Sequence, residues 1–253
     1  MFLSIIIATF NSSKNISKCL SSIINQNFLD YEIIIKDNNS SDDTITIIKK
    51  IFNEKKINNY QVIVSEDKSV YEAWNIALEK TSGDYIMFLG SDDFLKKDSL
   101  SYYYNYIIHN DSPSYVYCKA DKINSNNLKI KTIGEQFYDY KFKKHMSVVH
   151  TGSLHKKKLF DKYGKFDLSF KIAGDYEFLL RFYKKEKFHF IDKILLNSLI
   201  GGLSEYSFTT QIEGFKAKHK HYTDPLILIY IDTIIIIFKV LIKKIFNILN
   251  VSY

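Results

Sequence analysis

The sequence predicts an α/β protein built on a doubly wound, mostly parallel sheet. Short apolar runs alternate with stretches of helical period through the first 120 residues, and polar residues follow several of those runs. Nine glycines, two prolines and a hydrophobic content of 46% exclude collagen-like, low-complexity and disordered chains. A chain of 253 residues is long enough to bury a sizeable core in one large domain.

The elements follow in order along the chain. Continuous apolar runs are typical of strands buried on both faces, and they occupy residues 3–8, 31–36, 60–65 and 84–90. Between these runs, apolar residues recur with a period of 3.6, which predicts helices from residue 12, over 45–52 and over 70–80. Successive strand–helix units favour a parallel sheet that binds its ligands at the carboxyl ends of the strands.

The regularity weakens after residue 120. The pattern predicts a mixed region to about residue 150, helices near 155–163 and 175–185, and strands within 188–200. Since no glycine- or proline-rich linker occurs, we expect one fused unit and a C-terminal helical tail.

The positive charge is concentrated in the second half of the chain. Residues 1–140 hold 15 basic and 18 acidic side chains, a balance of −3, whereas residues 141–253 hold 20 and 10, a balance of +10. All of the basic residues except Arg181 are lysines. Arginine is the usual reader of base edges, so the composition argues against sequence-specific nucleic-acid binding.

Cysteine usage and the first residues indicate a cytoplasmic protein. Cys19 and Cys118 lie far apart and form no metal or redox spacing, so we expect buried free thiols. The N-terminus lacks a basic segment ahead of its apolar residues, which favours a first strand over a signal peptide.

The apolar stretch at residues 225–249 is long enough to cross a bilayer, but charged residues interrupt it. Asp232, Lys239 and Lys243 fall near one narrow helical stripe, and a broad apolar face remains. This pattern predicts a helix in the membrane interface whose lysines reach anionic headgroups. A buried terminal helix, an oligomer contact or a strand are the alternatives.

Adjacent carboxylates follow the fourth predicted strand. Asp92 and Asp93 are costly to keep ionised at the end of an apolar strand unless a cation or dipole is near. No glycine-rich dinucleotide or P-loop motif occurs, so the phosphates of a bound nucleotide need another partner. A divalent ion that bridges carboxylate and diphosphate oxygens meets both needs. Helix capping by either aspartate is the alternative.

Five stretches, taken together and in order, resemble glycosyltransferase family 2 enzymes of the Rossmann-like GT-A fold, similar to bacterial transferases that build surface polysaccharides and oligosaccharides. They are SIIIATFN at 4–11, IIIKDNNSSDDT at 33–44, SEDKSVYEAWNIAL at 65–78, GDYIMFLGSDD at 83–93 and AGDYEFLLR at 173–181. The resemblance covers about residues 1–205. It implies a nucleotide-binding half over 1–120, an acceptor-side half over 121–205, and a separate tail over 206–253.

The resemblance also implies roles for donor-side residues. Thr9 and Asn11 would line the nucleotide pocket. Asp37 would hydrogen-bond the uracil of a UDP-sugar, which agrees with its place at a strand end. Asp67 and Lys68 would lie beside the base and the diphosphate.

Further roles concern the reacting groups. Asp92 would contact the ribose or the sugar, Asp93 would hold Mn²⁺ or Mg²⁺, and Asp175 would be the general base. His150 resembles a recurrent histidine near the acceptor, and Gly202 lies in a segment that resembles a loop closing over the donor.

Some residues have other interpretations or depart from the family. A helix N-cap is the alternative for Asp175, and Trp74 is expected in the core. Ser91 stands where an acidic residue often occurs, and Gly174 where glutamate is frequent.

The predicted function is an inverting, metal-dependent hexosyltransferase. It would move a sugar from a nucleotide donor, expected to be a UDP-sugar, to a glycan or a lipid-diphosphate-linked saccharide. Such an acceptor places the protein in the cytoplasm, peripheral at the inner face of the membrane. A nucleotidyltransferase and a non-catalytic nucleotide- or membrane-binding subunit are the alternatives.

Overall fold

The computed structural model describes residues 1–201, residues 208–221, Tyr230, Ile231, Ile234 and Phe238. The strands found there are β1 Leu3–Thr9, β2 Tyr31–Asp37, β3 Tyr60–Val64, β4 Tyr85–Gly90, β5 Phe94–Leu95, β6 Tyr115–Ile123, β7 Lys129–Ile133, β8 Leu154–Lys156 and β9 Phe188–Leu199. The helices are α1 Ile16–Ile24, α2 Thr44–Glu54, α3 Val70–Leu78, α4 Ser99–Ile108, α5 Asp139–Lys144, α6 Lys158–Tyr163, α7 Gly174–Leu180 and α8 Phe208–His221.

The strands form one sheet in the order β3-β2-β1-β4-β8-β6-β9-β5, and β7 pairs with β6. The first four strands are parallel, whereas β8 runs antiparallel to both of its neighbours. Strands β6 and β9 are again parallel. This arrangement confirms the predicted doubly wound, mostly parallel sheet with a mixed second half.

Helices cover both faces of the sheet. Neighbouring residues of a strand point to opposite faces, so Ile5 and Ile7 of β1 pack with α1 and α2, and Ile6 packs on the other face with α3 and α7. All three side chains are fully buried. Burying an isoleucine contributes about 1.5–3 kcal/mol, which explains why β1 is apolar at consecutive positions.

Two predicted helices differ from the structure. The helix predicted near 155–163 begins only at Lys158, because the preceding residues form β8 and fill the sheet between β4 and β6. His155 therefore lies on a strand, opposite Ile86 of β4. Helix α7 ends at Leu180, five residues before the predicted end. Local periodicity could not show β8, since this short strand depends on pairing with β4 and β6.

Helix α8 lies within the predicted tail and packs on α7. Buried Glu177 of α7 is bonded by Arg181 of its own helix and by Lys220 and His221 of α8. These contacts hold the pKa of Glu177 at about 2, despite the opposing effect of burial. These contacts hold α8 against α7.

Parts of the tail prediction fall outside the described residues. Gly202 and most of the stretch 225–249 are among these. No helix in the described part of the chain has both the length and the apolar character that a membrane span requires.

Candidate active site

Asp37 is the centre of a hydrogen-bonded cluster at the carboxyl ends of β1 and β2. Its carboxylate is fully buried. Thr9 Oγ1 donates to Asp37 Oδ2 at 2.7 Å, and Ser40 donates through its backbone N–H to Oδ1 at 2.8 Å and through its hydroxyl to Oδ2 at 2.6 Å. The parallel register of β1 and β2 sets Thr9 opposite Asp37. The fold itself therefore supplies three donors to this carboxylate.

Asn11 connects the loops that follow the same two strands. Its backbone has a φ of 47°, in the left-handed region that asparagine tolerates. Its side-chain Oδ1 accepts from the Ser41 backbone N–H at 3.0 Å, and its own N–H donates to Ser40 Oγ at 2.8 Å. Thr9, Asn11 and Asp37, predicted separately for the nucleotide pocket, are thus one connected cluster.

A buried ion pair holds the neighbouring loop. Lys36 is fully buried and donates from Nζ to Asp67 Oδ2 at 2.5 Å and to the Ser65 carbonyl at 2.7 Å. Asn38 and Asp67 exchange a reciprocal pair of hydrogen bonds, at 3.1 and 2.8 Å. The sequence motifs did not point to Lys36, although a lysine inside a buried apolar strand is itself a signal.

Lys68 follows directly on this loop and is exposed. Its backbone N–H donates to Glu72 Oε2 at 2.7 Å, while the next residue, Ser69, caps α3 by accepting from the Glu72 N–H. The Lys68 side chain is thus exposed to solvent, next in the chain to Asp67.

Asp92 and Asp93 lie in the turn after β4 and fold back over Gly90. A Cβ atom on Gly90 would come within 2.8 Å of Asp92 Oδ1 and of Asp93 Oδ2. Burial and the neighbouring Asp92 charge raise the pKa of Asp93, and Thr151 Oγ1 donates to its Oδ2 at 2.5 Å. Helix α4 has Asp98 as its N-cap, so the capping interpretation of Asp92 and Asp93 is wrong.

This pair of carboxylates fits a hard divalent cation. Two convergent carboxylate groups, one of them buried beside like charge, gain from a cation between them. No group of three or more His, Cys, Asp or Glu side chains suited to a metal exists within the described residues. Remaining ligands would therefore come from substrate phosphates and water, as is usual for Mg²⁺.

Asp175 lies in the first turn of α7. The N-cap of this helix is Ala173, so the capping interpretation of Asp175 is wrong. Asp175 Oδ1 accepts from the Tyr176 backbone N–H at 2.8 Å and from the Tyr71 hydroxyl at 3.3 Å. Tyr71, which the sequence did not single out, also donates to the Ile172 carbonyl at 2.6 Å.

Gly174 explains how Tyr71 reaches this position. A Cβ atom at Gly174 would lie 2.8–2.9 Å from three ring atoms of Tyr71, too close for any side chain. The departure noted in the sequence therefore has a local cause: glycine lets the Tyr71 ring lie against the start of α7.

Four predicted residues meet in one cleft of about 740 Å³: Asp92, Asp93, His150 and Asp175. Helix α8 forms part of its wall with Thr210, Gln211, Gly214, Phe215 and Lys218. Buried Glu213 of the same helix accepts the backbone N–H groups of Ile172 and Ala173 at 2.8 and 2.9 Å. The described part of the predicted tail therefore shapes the cleft and fixes the loop before Asp175.

His150 and Trp74 line the same cleft. Burial lowers the pKa of His150, although the Asp175 charge opposes this, so the imidazole is neutral at pH 7. Its ring stacks on Trp74 with centroids 5.5 Å apart. Trp74 is partly buried and packs against the core, as expected. It contacts Phe88, and it also borders the cleft.

The profile described as "Glycosyl transferase family 2" matches residues 4–164 of this sequence, well over half of the chain. The chain belongs to glycosyl transferase family 2. This confirms the family that the five sequence stretches predicted.

Relatives within the family match only part of their own length. An "Uncharacterized glycosyltransferase" of Haemophilus influenzae is 31% identical over 143 residues, 54% of this chain and 55% of that protein. A "GalNAc(5)-diNAcBac-PP-undecaprenol beta-1,3-glucosyltransferase" of Campylobacter jejuni is 35% identical over 99 residues, 39% of this chain and 32% of that protein. The match thus spans about half of these relatives or less.

Solved structures of other transferases share the fold. S. aureus TarS 1–349 in complex with UDP-GlcNAc superposes with a TM-score of 0.69 at 19% identity, over 86% of this chain and 64% of that one. The mannosyltransferase PcManGT from Pyrobaculum calidifontis, in complex with GDP-Man and Mn²⁺, gives 0.66 at 13% identity, over 88% and 65%. These likenesses confirm the predicted GT-A fold.

Proposed function

We propose that this family 2 protein is an inverting, metal-dependent transferase that moves a sugar from a UDP-sugar to a glycan or lipid-linked saccharide. One observation carries the proposal. Asp93, at the end of β4, and Asp175, at the start of α7, are 82 positions apart in the chain yet line a single cleft. The residue proposed to hold the metal and the residue proposed as the base thus line the same cleft.

The nucleotide would bind across the ends of β1 and β2. A carboxylate has about four sites that accept hydrogen bonds, and the fold fills three of those of Asp37. A base N–H is proposed as the partner of the remaining site, which is shielded from solvent in this structure. Asn11 would line this pocket, and Asp67 and Lys68 would flank the diphosphate. The UDP-GlcNAc complex of TarS, a protein of similar fold, supports a uridine donor.

The chemistry follows from the placement of the carboxylates. As the acceptor hydroxyl oxygen bonds to the anomeric carbon, its proton passes to Asp175. The bond from that carbon to the diphosphate oxygen breaks, and the electron pair leaves with the nucleoside diphosphate. Asp93, with Asp92 beside it, would hold a divalent ion, which when bound supplies stabilisation of charge on the leaving diphosphate. Attack opposite the leaving group inverts the anomeric configuration.

The acceptor is proposed to carry phosphate, as in a lipid-diphosphate-linked saccharide. Lys122, Lys131, Lys144 and Lys218 line the cleft that holds Asp175, and ammonium groups attract anionic substrates. The PP-undecaprenol named in the Campylobacter relative has this chemistry.

Such an acceptor would bring the protein to the inner face of the membrane. The described residues of the apolar stretch 225–249, which are Tyr230, Ile231, Ile234 and Phe238, are all exposed. Exposed aromatic and aliphatic side chains at helical spacing favour insertion into the membrane interface.

A panel of nucleotide sugars tests the proposal. The protein is incubated with UDP-glucose, UDP-galactose, UDP-GlcNAc or GDP-mannose, in the presence of Mn²⁺ or of EDTA. The released nucleoside diphosphate is then measured. We expect turnover of at least one UDP-sugar that EDTA abolishes and Mn²⁺ restores. Asp93→Asn should lose this turnover, and Asp161→Asn, an exposed aspartate of α6 outside the cleft, should retain it. Full turnover in EDTA would refute the metal assignment.

A further inference from the structure

The loop before Asp175 is held by a buried side chain of helix α8, Glu213, of which only 9% is exposed. Three consecutive backbone N–H groups of this loop donate to Glu213 Oε2. They belong to Lys171, Ile172 and Ala173, at distances of 3.1, 2.8 and 2.9 Å. Buried backbone N–H groups need a partner, and Ala173, the N-cap of α7, has no side-chain oxygen that could provide one. A carboxylate from a distant part of the chain therefore holds the loop.

Tyr71 of α3 binds the same loop through a second group. The Ile172 carbonyl accepts from the Tyr71 hydroxyl at 2.6 Å, while the Ile172 N–H donates to Glu213. The Tyr71 hydroxyl also lies 3.3 Å from Asp175 Oδ1. Two side chains from different helices thus hold Ile172, and one of them bonds Asp175 directly. A shift of the loop would move the Asp175 carboxylate.

Glu213 can act on the reaction only through this loop. Its neighbours Gly214 and Phe215 line the cleft, whereas Glu213 is not among the described residues that do so. Both of its carboxylate oxygens accept from the loop, since Oε1 also accepts the Lys171 N–H at 2.9 Å. A substrate in the cleft would therefore meet Asp175 and not Glu213.

We propose that Glu213 is a positioning residue that sets the place of the Asp175 carboxylate relative to the acceptor hydroxyl. The inference rests on the proposed function, in which Asp175 takes the proton, and adds a residue outside the stretch 1–205 to which the family resemblance is confined. Misplacing a reacting group by about 1 Å can cost about 100-fold in rate. Helix α8 would thus be required for the transfer itself, beyond any part the tail has at the membrane.

Glu213→Met tests the role, because it removes both acceptor oxygens and keeps a side chain of similar length. With the best donor of the nucleotide-sugar panel, we expect kcat to fall by about 10–100-fold. The KM for the donor and the Kd for UDP with Mn²⁺ should stay unchanged. Glu213→Gln keeps one oxygen and should retain more activity, and it serves as the test if Glu213→Met does not fold. Wild-type kcat in every folded Glu213 variant would overturn the proposal.

His221→Ala is the control, since it removes a different bond between α8 and α7, the one to Glu177. It leaves the bonds of Glu213 in place. We expect a lower thermal midpoint and a wild-type kcat, measured well below the midpoint of each variant. If His221→Ala lowers kcat as much as Glu213→Met, general loosening of α8 explains the loss and the proposal is wrong.

The Asp175→Asn background shows whether Glu213 acts through Asp175. Residues that act as one unit have non-additive effects, so adding Glu213→Met to Asp175→Asn should lower kcat little further. An equal fold-loss in both backgrounds would overturn the proposal. If Asp175→Asn keeps full activity, the proposed base is wrong, and the inference fails with it. If Asp175→Asn loses activity and the Glu213 variants keep theirs, the inference alone fails.

Discussion

Two regions of the proposed site, the Asp37 cluster at the ends of β1 and β2 and the cleft that holds Asp93, differ in how their polar groups are bonded. At the ends of β1 and β2, Asp37 receives three hydrogen bonds from the chain and Lys36 is paired with Asp67. In the cleft, Asp93 lies buried beside Asp92 with a hydrogen bond from Thr151, and Trp74 Nε1 and His150 Nε2 have no hydrogen-bond partner among the described residues. The first region stabilises the fold by itself, whereas the second is built at a cost to stability that ligands can offset.

Asp175→Asn should give the largest effect, because it removes the proposed proton acceptor from the cleft without removing a buried ion pair. We expect kcat to fall by about 10²–10⁴-fold, the usual contribution of a general base. Steady-state transfer assays measure this, with UDP affinity and thermal midpoint as checks on folding. If sugar transfer continues undiminished, Asp175 is not the base.

Lys36→Met should give the largest loss of stability. It leaves the Asp67 carboxylate, with a side-chain exposure of 8%, buried without its cation. Removing one partner of a buried pair costs about 3–5 kcal/mol, which urea denaturation can measure. The double variant Lys36→Met/Asp67→Asn should recover part of this loss. If Lys36→Met alone is as stable as the wild type, this contradicts the view that the region at the ends of β1 and β2 stabilises the fold by itself.

Gly174→Ala probes the junction of Tyr71 and α7. The added methyl group would lie within 3 Å of the Tyr71 ring, and such overpacking costs about 1–3 kcal/mol. We expect a lower unfolding free energy and a lower kcat, because Tyr71 also donates to Asp175. For stability, Gly214→Ala is the control, since a Cβ atom there meets nothing within 4 Å; an equal loss of unfolding free energy in both variants would refute the steric account.

Acid should destabilise the protein through its buried histidines. Burial lowers the pKa of His150 and, more strongly, that of His155. Below the ordinary histidine pKa of about 6.5, the unfolded chain takes up protons that the folded chain does not. The unfolding free energy therefore decreases as the pH is lowered. The slope is at most about 1.4 kcal/mol per pH unit for each histidine. His155→Leu should reduce this slope. If the slope is unchanged, groups other than His155 cause the pH dependence.

The sequence was most informative where local patterns decide the structure. Apolar runs predicted β1, β2 and β4 within about a residue, and polar residues at their ends predicted where Asp37, Asp92 and Asp93 lie. His155 was placed on a helix because β8 exists only through pairing with β4 and β6.

Contacts between distant segments were missed for the same reason. The bonds from Tyr71 to Asp175 and from Thr151 to Asp93 join residues 104 and 58 positions apart, so no local spacing reveals them. Trp74 was assigned to the core because its neighbours are apolar, and only the folded chain shows that it borders the cleft.

The difference between the Asp37 cluster and the cleft is tested most directly by comparing Asp37→Asn with Asp93→Asn. Urea denaturation of each variant is measured with and without UDP and Mn²⁺. Asp37→Asn should lose about 1–3 kcal/mol, because it disturbs a satisfied buried group. Asp93→Asn should be as stable as the wild type or more so, because it removes a buried like charge, but it should lose the stabilisation that Mn²⁺ adds with UDP. A loss of stability in Asp93→Asn equal to that in Asp37→Asn, or a retained Mn²⁺ effect, would contradict the account.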